Sequence, residues 1–320
     1  MLPAATRDAH PDREPIRIGS PTPGLSLLRK SGAVRLFPGS AWPVRDHEGL
    51  DPVLGRIGSL EVRLATTARE IRRAQNLRFK VFYGEMSALP SGTSVFSRRD
   101  TDPFDAICDH LLVLDNDVKP RAFRKARPAV VGTYRLLRQD VAERHFGFYT
   151  AAEYEIGPII ARNPGLRFLE LGRSCVLKPY RNKRIVELLW HGIWTYVLRH
   201  GVDVMIGCAS LEGTDPRRLA LPLSFLHHHA RAEEKWRARA VAERYTAMDL
   251  LAKDAVDPKA ALHALPPLIK GYLRLGAAIG DGAVIDRTFG TTDVLVILPV
   301  SSINPRYIGH FGPRAERHAA

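Results

Sequence analysis

One stretch constrains the fold more than any other: Arg167-Phe-Leu-Glu-Leu-Gly-Arg-Ser-Cys-Val-Leu-Lys-Pro-Tyr-Arg-Asn-Lys-Arg184. Phe168, Leu169, Leu171, Cys175, Val176 and Leu177 suit a buried strand. Pro179 has no N–H to donate, so the strand should end near Leu177 or Lys178. From Lys183 the period changes, and Ile185, Leu188, Leu189, Ile193, Tyr196 and Val197 recur at helical spacing up to a stop at Gly201. The expected unit is strand, basic turn, helix. A helix N-terminus offers free N–H groups and a positive dipole end, so Arg181, Lys183 and Arg184 beside it would suit a phosphate.

Glu170 and Arg173 interrupt the apolar strand with opposite charges. Buried charges are costly unless paired or used. The residues alone leave two readings open, a structural ion pair and a reactive site.

A chain of 320 residues with 45% hydrophobic content can bury a sizeable core. No apolar run approaches the roughly 20 residues that span a bilayer, Val294 to Val300 being only strand length. The N-terminus lacks the apolar segment of a secretory signal. Cys108, Cys175 and Cys208 have no metal-ligand spacing and read as buried reduced thiols, so the expected compartment is the cytoplasm. A net charge of +13 calls for an acidic partner: nucleic acid, an anionic membrane or an acidic carrier protein. A non-enzymatic basic binding protein would show basic and aromatic residues on one surface or a nucleic-acid motif; neither is evident, and no nucleic-acid partner is expected.

Residues 1–56, rich in Pro, Gly, Arg and Asp, read as a disordered tail. Within it Leu25 to Phe37 is a weakly amphipathic basic stretch that could touch a membrane surface peripherally. Order is expected from a strand at Gly58–Ala65 and a helix from about Thr67 to Tyr83. A loop from Gly84 to Phe104 follows, then a hairpin of His110–Asp115 with Ala129–Leu137. Beyond the central helix come a short strand at Asp203–Cys208, a helix from about Asp215 to His229 and a charged stretch to Tyr245. Then come a helix at Leu265–Ala277, a glycine-rich turn at Ile279–Asp286 and a final strand from Thr292 to Val300. His227, His228 and His229 are consecutive, so a helix cannot converge them on one ion; no metal is expected. This order is α/β.

The same order resembles the GNAT acyltransferase core. Leu77–Phe82, Asp102–Asp105, Gly132–Arg135 and Glu170–Arg173 resemble, in sequence, the landmarks of N-acyl-homoserine-lactone synthases. Closer still is the ornithine Nα-acyltransferase family of ornithine-lipid synthesis, which the span from Leu54 to Gly312 resembles. The likeness is carried by Gly55–Ala65, Glu170–Val176, Tyr180–Arg184, Glu187–Ile193 and Pro266–Ala277. It implies a GNAT-like mixed central sheet flanked by helices over residues 57–312, with a family-specific extension at 213–290 and a short tail at 313–320.

The usual GNAT phosphate turn, Q/R-x-x-G-x-G/A, has no counterpart glycines in Arg181–Val186. Without them the backbone cannot wrap closely around a coenzyme A pyrophosphate. A pantetheine arm on acyl carrier protein brings one phosphate and an acidic surface, which Arg181, Lys183 and Arg184 suit by charge.

The resemblance thus implies transfer of a 3-hydroxyacyl group from acyl carrier protein to the α-amine of L-ornithine, with no bound cofactor. The attacking ammonium must first lose a proton, and Glu170 is the carboxylate proposed as base, with Arg173 as its catalytic companion. Backbone N–H groups beyond Glu170 would stabilise the tetrahedral oxygen. Asp102 and Asp105 could hold the side-chain ammonium of ornithine, and Arg173, Arg135 or Arg78 its carboxylate. The alternative for these residues is a network that only orients the 84–104 loop. Another carrier-protein-dependent N-acyltransferase, such as an acyl-homoserine-lactone synthase, stays open as the neighbouring function.

Overall fold

The computed structural model describes residues 49–86, 88, 89, 92–117, 127–304 and 307. Their strands are β1 Val53–Ile57, β2 Leu60–Leu64, β3 Asp109–Asp115, β4 Ala129–Arg138, β5 Phe168–Val176, β6 Val204–Glu212, β7 Tyr245–Thr246, β8 Ala278–Asp286 and β9 Thr291–Pro299. The helices are α1 Ala68–Phe82, α2 Gly92–Ser97, α3 Gln139–Glu143, α4 Gly157–Arg162, α5 Lys183–His200, α6 Ala220–His229, α7 Pro258–Ala264 and α8 Pro267–Leu275. The strands form one mixed sheet in the order β1-β2-β3-β4-β5-β6-β9-β8-β7. Strands β5 and β6 run parallel, and the other neighbours pair antiparallel.

Period-two alternation along β3 feeds both faces of this sheet. Leu111 and Val113 pack under α5 with Val62, Leu64, Ile185, Leu188 and Ile193, while Leu112 and Leu114 pack with Ile71 and Ala74 of α1 on the other side. Helix α1 starts where the sequence says it should: the Thr67 hydroxyl accepts from the Glu70 N–H at 3.2 Å, and the Glu70 carboxylate accepts back from the Thr67 N–H. Helix α5 starts at an Asn182 cap on the Ile185 N–H and stops at Gly201, whose φ of +56° permits the left-handed closing turn.

Several elements differ from expectation, among them helix α2 inside the stretch read as the 84–104 loop and helix α7, which the sequence reading lacked. Val53–Ile57 is an edge strand, so order begins inside the stretch expected to be tail; Gly55 is needed there because a Cβ would lie 2.5 Å from the His191 ring. Residues 278–286 are strand β8 and not a glycine-rich turn. Gly280 lets the strand pass Leu295 and the Ala238 carbonyl, and Gly282, at φ +83°, sits under the Tyr245 ring at an irregularity in the β8/β9 ladder. Helix α6 begins at Ala220, so residues 215–219 lie outside it. Residues 1–48, with the amphipathic stretch Leu25–Phe37, and the tail 313–320 fall outside the described residues. No helix among the described residues is long and apolar enough to cross a membrane.

Candidate active site

Strands β5 and β6 pair at Phe168↔Val204, Leu169↔Met205 and Glu170↔Ile206, and the pairing ends there. At that point Gly207 faces the Leu171 carbonyl, which a Cβ would approach to 2.2 Å. Strand β5 then bulges: Thr133 opposes Cys175 and Arg135 opposes Gly172, so β5 carries one residue more than β4 between these pairs. Arg173 in the bulge takes φ +50°, a left-handed conformation that a side-chain-bearing residue adopts only under local constraint. A cavity of about 790 Å³ opens beyond the parting strands, and Arg135, Glu170, Arg173, Arg181, Cys208 and Asp293 are among the residues lining it.

Glu170 is buried on the cavity wall, and its carboxylate anchors the turn that begins at Tyr149. Its Oε1 accepts from the Thr150 N–H at 2.6 Å and from the Thr150 hydroxyl, and its Oε2 accepts from the Tyr149 N–H at 2.9 Å. Burial pushes the carboxyl above its ordinary range, against the pull of these donors. Glu170 and Arg173 do not form an ion pair with each other. Arg173 turns instead to Asp102 at 3.1 Å and Asp100 at 3.4 Å, with its guanidinium 4.9 Å from the Tyr149 ring and 5.0 Å from the Phe289 ring.

Behind Arg173 lies a dry ionic network. Arg78, wholly buried, donates through Nε to Asp100 Oδ2 at 2.8 Å and through NH2 to the Asp100 carbonyl at 2.6 Å and Asp105 Oδ2 at 2.7 Å. Arg135 NH1 donates to Asp102 at 2.6 Å and Asp105 at 3.3 Å. Asp102 and Asp105 also cap each other across Pro103–Ala106. Burial disfavours the Asp105 anion, yet Arg78 beside it holds the carboxyl below its ordinary range. Arg78, Asp102 and Asp105 lie outside the cavity lining, and both aspartates are paired with arginines. These are the contacts an orienting network would make.

The basic turn is at the cavity mouth. Arg181 lines the cavity, donates to the Val176 carbonyl at 2.9 Å and pairs with Glu85 at 2.5 Å. Lys183 is exposed and pairs with Glu187 at 3.3 Å, and Arg184 is exposed beside it. Of the three histidines, His228 is tied to the Leu251 carbonyl at 2.9 Å and His229 stacks on Phe225.

An acidic group on the cavity's other side escaped the sequence reading. Glu153, Asp286 and Asp293 bring carboxylate oxygens within 4.8 Å of one another. Burial and the neighbouring Asp293 raise the Glu153 carboxyl from 4.5 to about 7. The folded chain thus keeps this proton across a window in which the unfolded chain has released it, so stability should fall as pH rises from about 4.5 to about 7. Glu153→Gln is expected to flatten that part of the stability curve. Urea melts at the two ends of the window check this, and equal slopes for variant and parent would contradict it.

Residues 77–191 match the acetyltransferase (GNAT) domain family. Over 268 residues the chain is 54% identical to the L-ornithine N(alpha)-acyltransferase of Rhizobium meliloti (strain 1021), covering 84% of this chain and 89% of that protein. The chain belongs to the L-ornithine N(alpha)-acyltransferase family. The enzyme of the same name from Brucella abortus (strain 2308) is 54% identical over 83% of this chain and 93% of its own. That of Rhodobacter capsulatus is 42% identical over 81% of this chain and 96% of its own. Among solved structures, the chain is similar to an N-acyl amino acid synthase from uncultured soil microbes, at 10% identity and a TM-score of 0.41 over 78% of this chain and 92% of that one. Its chemistry is that of an acyltransferase with a GNAT domain.

In this acyltransferase the sequence signal for the missed acids was of the kind that drew attention to Glu170. Asp293 opens the apolar run Val294–Val300 just as Glu170 interrupts Phe168–Leu171. Tyr149 and Thr150 sit in a 3-10 turn that ends at Glu153, a segment with no local signature, and only the fold brings the first two to the cavity and Glu153 against Asp286 and Asp293.

Proposed function

We propose that the chain transfers a 3-hydroxyacyl group from acyl carrier protein to the α-amine of L-ornithine, giving lyso-ornithine lipid. The observation that carries this is 54% identity to L-ornithine N(alpha)-acyltransferases over more than four fifths of the chain. The cavity fits the chemistry. Among the described residues Glu170 Oε2 accepts one hydrogen bond, from the Tyr149 N–H, which leaves it a lone pair for the proton of the α-ammonium. Its raised carboxyl pKa brings the base nearer to working pH. The free amine then attacks the thioester carbonyl directly, and N–H groups of the bulged β5 beyond Glu170 would stabilise the developing oxyanion. Collapse of the tetrahedral intermediate forms the amide and expels the pantetheine thiolate, which takes the second proton lost by the nitrogen, while Glu170 releases the first to water. Arg173, on the cavity wall, meets the ornithine carboxylate, with Arg135 supporting it through the shared Asp102.

The donor enters past Arg181, Lys183 and Arg184. These side chains, in a turn without glycines, favour a carrier protein over a pyrophosphate wrapped in backbone. Purified protein given ornithine with 3-hydroxyacyl carrier protein should form the product far faster than with the same acyl group on coenzyme A. Reversing charge at Arg181 and Lys183 should raise KM for the acylated carrier, and the wild-type rate should fall with salt. Equal use of the coenzyme A thioester would refute the donor, and absence of N-acylornithine with either donor would refute the acceptor.

A further inference from the structure

Glu153, Asp286 and Asp293 stand at the end of the cavity bounded by β8 and β9, with Asp286 and Asp293 on its wall. Glu153 is 3% and Asp293 7% exposed. Glu153 Oε2 and Asp293 Oδ1 are buried, and neither has a hydrogen-bond partner among the described residues. Asp286 spends one oxygen on the Thr288 and Phe289 N–H groups, at 2.8 and 3.1 Å. The cation beside the cluster is Arg244, 3.5 Å from Glu153 Oε1. Among the described residues the one ion pair made by this group of three carboxyls is that of Glu153 with Arg244, an arrangement in a desolvated place that costs stability unless another cation joins it.

We propose that Glu153, Asp286 and Asp293 bind the side-chain ammonium of the amine acceptor and set the preference for a diamino acid. This rests on the reading that ornithine is the acceptor. The placement suits it. Ser210 of β6 pairs with Asp293, and Cys208, two residues earlier, points to the same face. The Cys208 thiol lies 4.0 Å from the Thr150 hydroxyl, which itself donates to Glu170, and burial together with the nearby Glu153 carboxyl pushes that thiol up. The Thr150 hydroxyl therefore borders the proposed base, and the Cys208 thiol next to it has the acidic cluster for a neighbour. The two nitrogens of an extended ornithine are roughly 6 Å apart at ordinary bond lengths. One molecule can present its α-amine to Glu170 and its terminal ammonium to the cluster. A divalent ion fits less well, because a calcium site takes about six to eight oxygens and Asp286 already gives an oxygen to two backbone donors.

The test compares ornithine with norvaline, which has the same carbon chain without the terminal amine, for the full-length wild type and for Asp293→Asn and Glu153→Gln. Each substitution should lower the ratio of kcat/KM for ornithine to that for norvaline by roughly tenfold or more, the scale of a lost charged hydrogen bond, through a higher KM for ornithine. Ornithine without donor should raise the Tm of the wild type, and norvaline should not. This readout stands even if a variant misfolds. The inference is overturned if the ratio is unchanged in both folded variants, or if norvaline stabilises the wild type as ornithine does. It is also overturned if EDTA abolishes the wild-type preference and calcium or magnesium restores it. Continued formation of N-acylornithine alongside any of these results leaves the acceptor reading standing, whereas a wild type that forms none overturns both.

Discussion

Replacing Glu170 by glutamine should lower kcat by roughly the hundred- to ten-thousand-fold typical of a lost general base, with a smaller change in KM for ornithine. The structure adds a complication to this substitution. The carboxylate also holds the Tyr149 and Thr150 N–H groups and the Thr150 hydroxyl, and a carboxamide can offer only its oxygen to them. One buried donor would go unsatisfied, costing about 1–3 kcal/mol of stability. The chemical and structural consequences separate when activity is read well below the variant's Tm. Thr150→Ser retains the anchoring hydroxyl and should keep near-parental kcat, so a large loss there would point to packing of the turn. A Glu170→Gln variant that is folded and keeps more than about a tenth of parental kcat at saturating ornithine would rule out the base.

The second large effect is on stability and lies outside the cavity. Arg78→Met removes the buried cation that joins Asp100 to Asp105. Asp105 would be left with Arg135 at 3.3 Å, the Gln75 amide at 3.0 Å and the Asp102 N–H at 3.4 Å. Removing one partner of a buried ionic network typically costs about 3–5 kcal/mol. Denaturant unfolding should show a loss of that size, and the double variant Arg78→Met/Asp105→Asn should lose less than the sum of the single changes. Activity should fall as well, because Asp100 and Asp102 of the same network orient Arg173. A loss below about 1 kcal/mol would mean that the network is not what holds this wall.

Local chemistry made the frame of the enzyme legible. Pro179, the change of period at Lys183 and Gly201 bounded β5 and α5 closely, and Thr67 with Glu70 marked the start of α1. Glu170 and Arg173 were conspicuous as charges in an apolar strand, but their relation was not. In a regular strand residues three apart face opposite sides, and the bulge at Arg173 returns its side chain to the face of Arg135 and Tyr149. No local pattern announces that bulge. Asp102 and Asp105 looked like ligands because two acids close a functional loop. Their partners, Arg78 and Arg135, come from α1 and β4, and only the assembled fold shows the charges already matched. Gly280 and Gly282 misled in the other direction. Glycines suggest a turn, yet here they serve close packing of a strand against Leu295 and Tyr245.

The central claim is that the cavity presents the α-amine of ornithine to the thioester while the other end of the molecule is held away from it. Tandem mass spectrometry of the product formed by the purified enzyme from 3-hydroxyacyl carrier protein and ornithine tests this most directly. The account predicts a single amide on the α-nitrogen with the terminal amine free. An amide on the terminal nitrogen, or a mixture of the two, would contradict it.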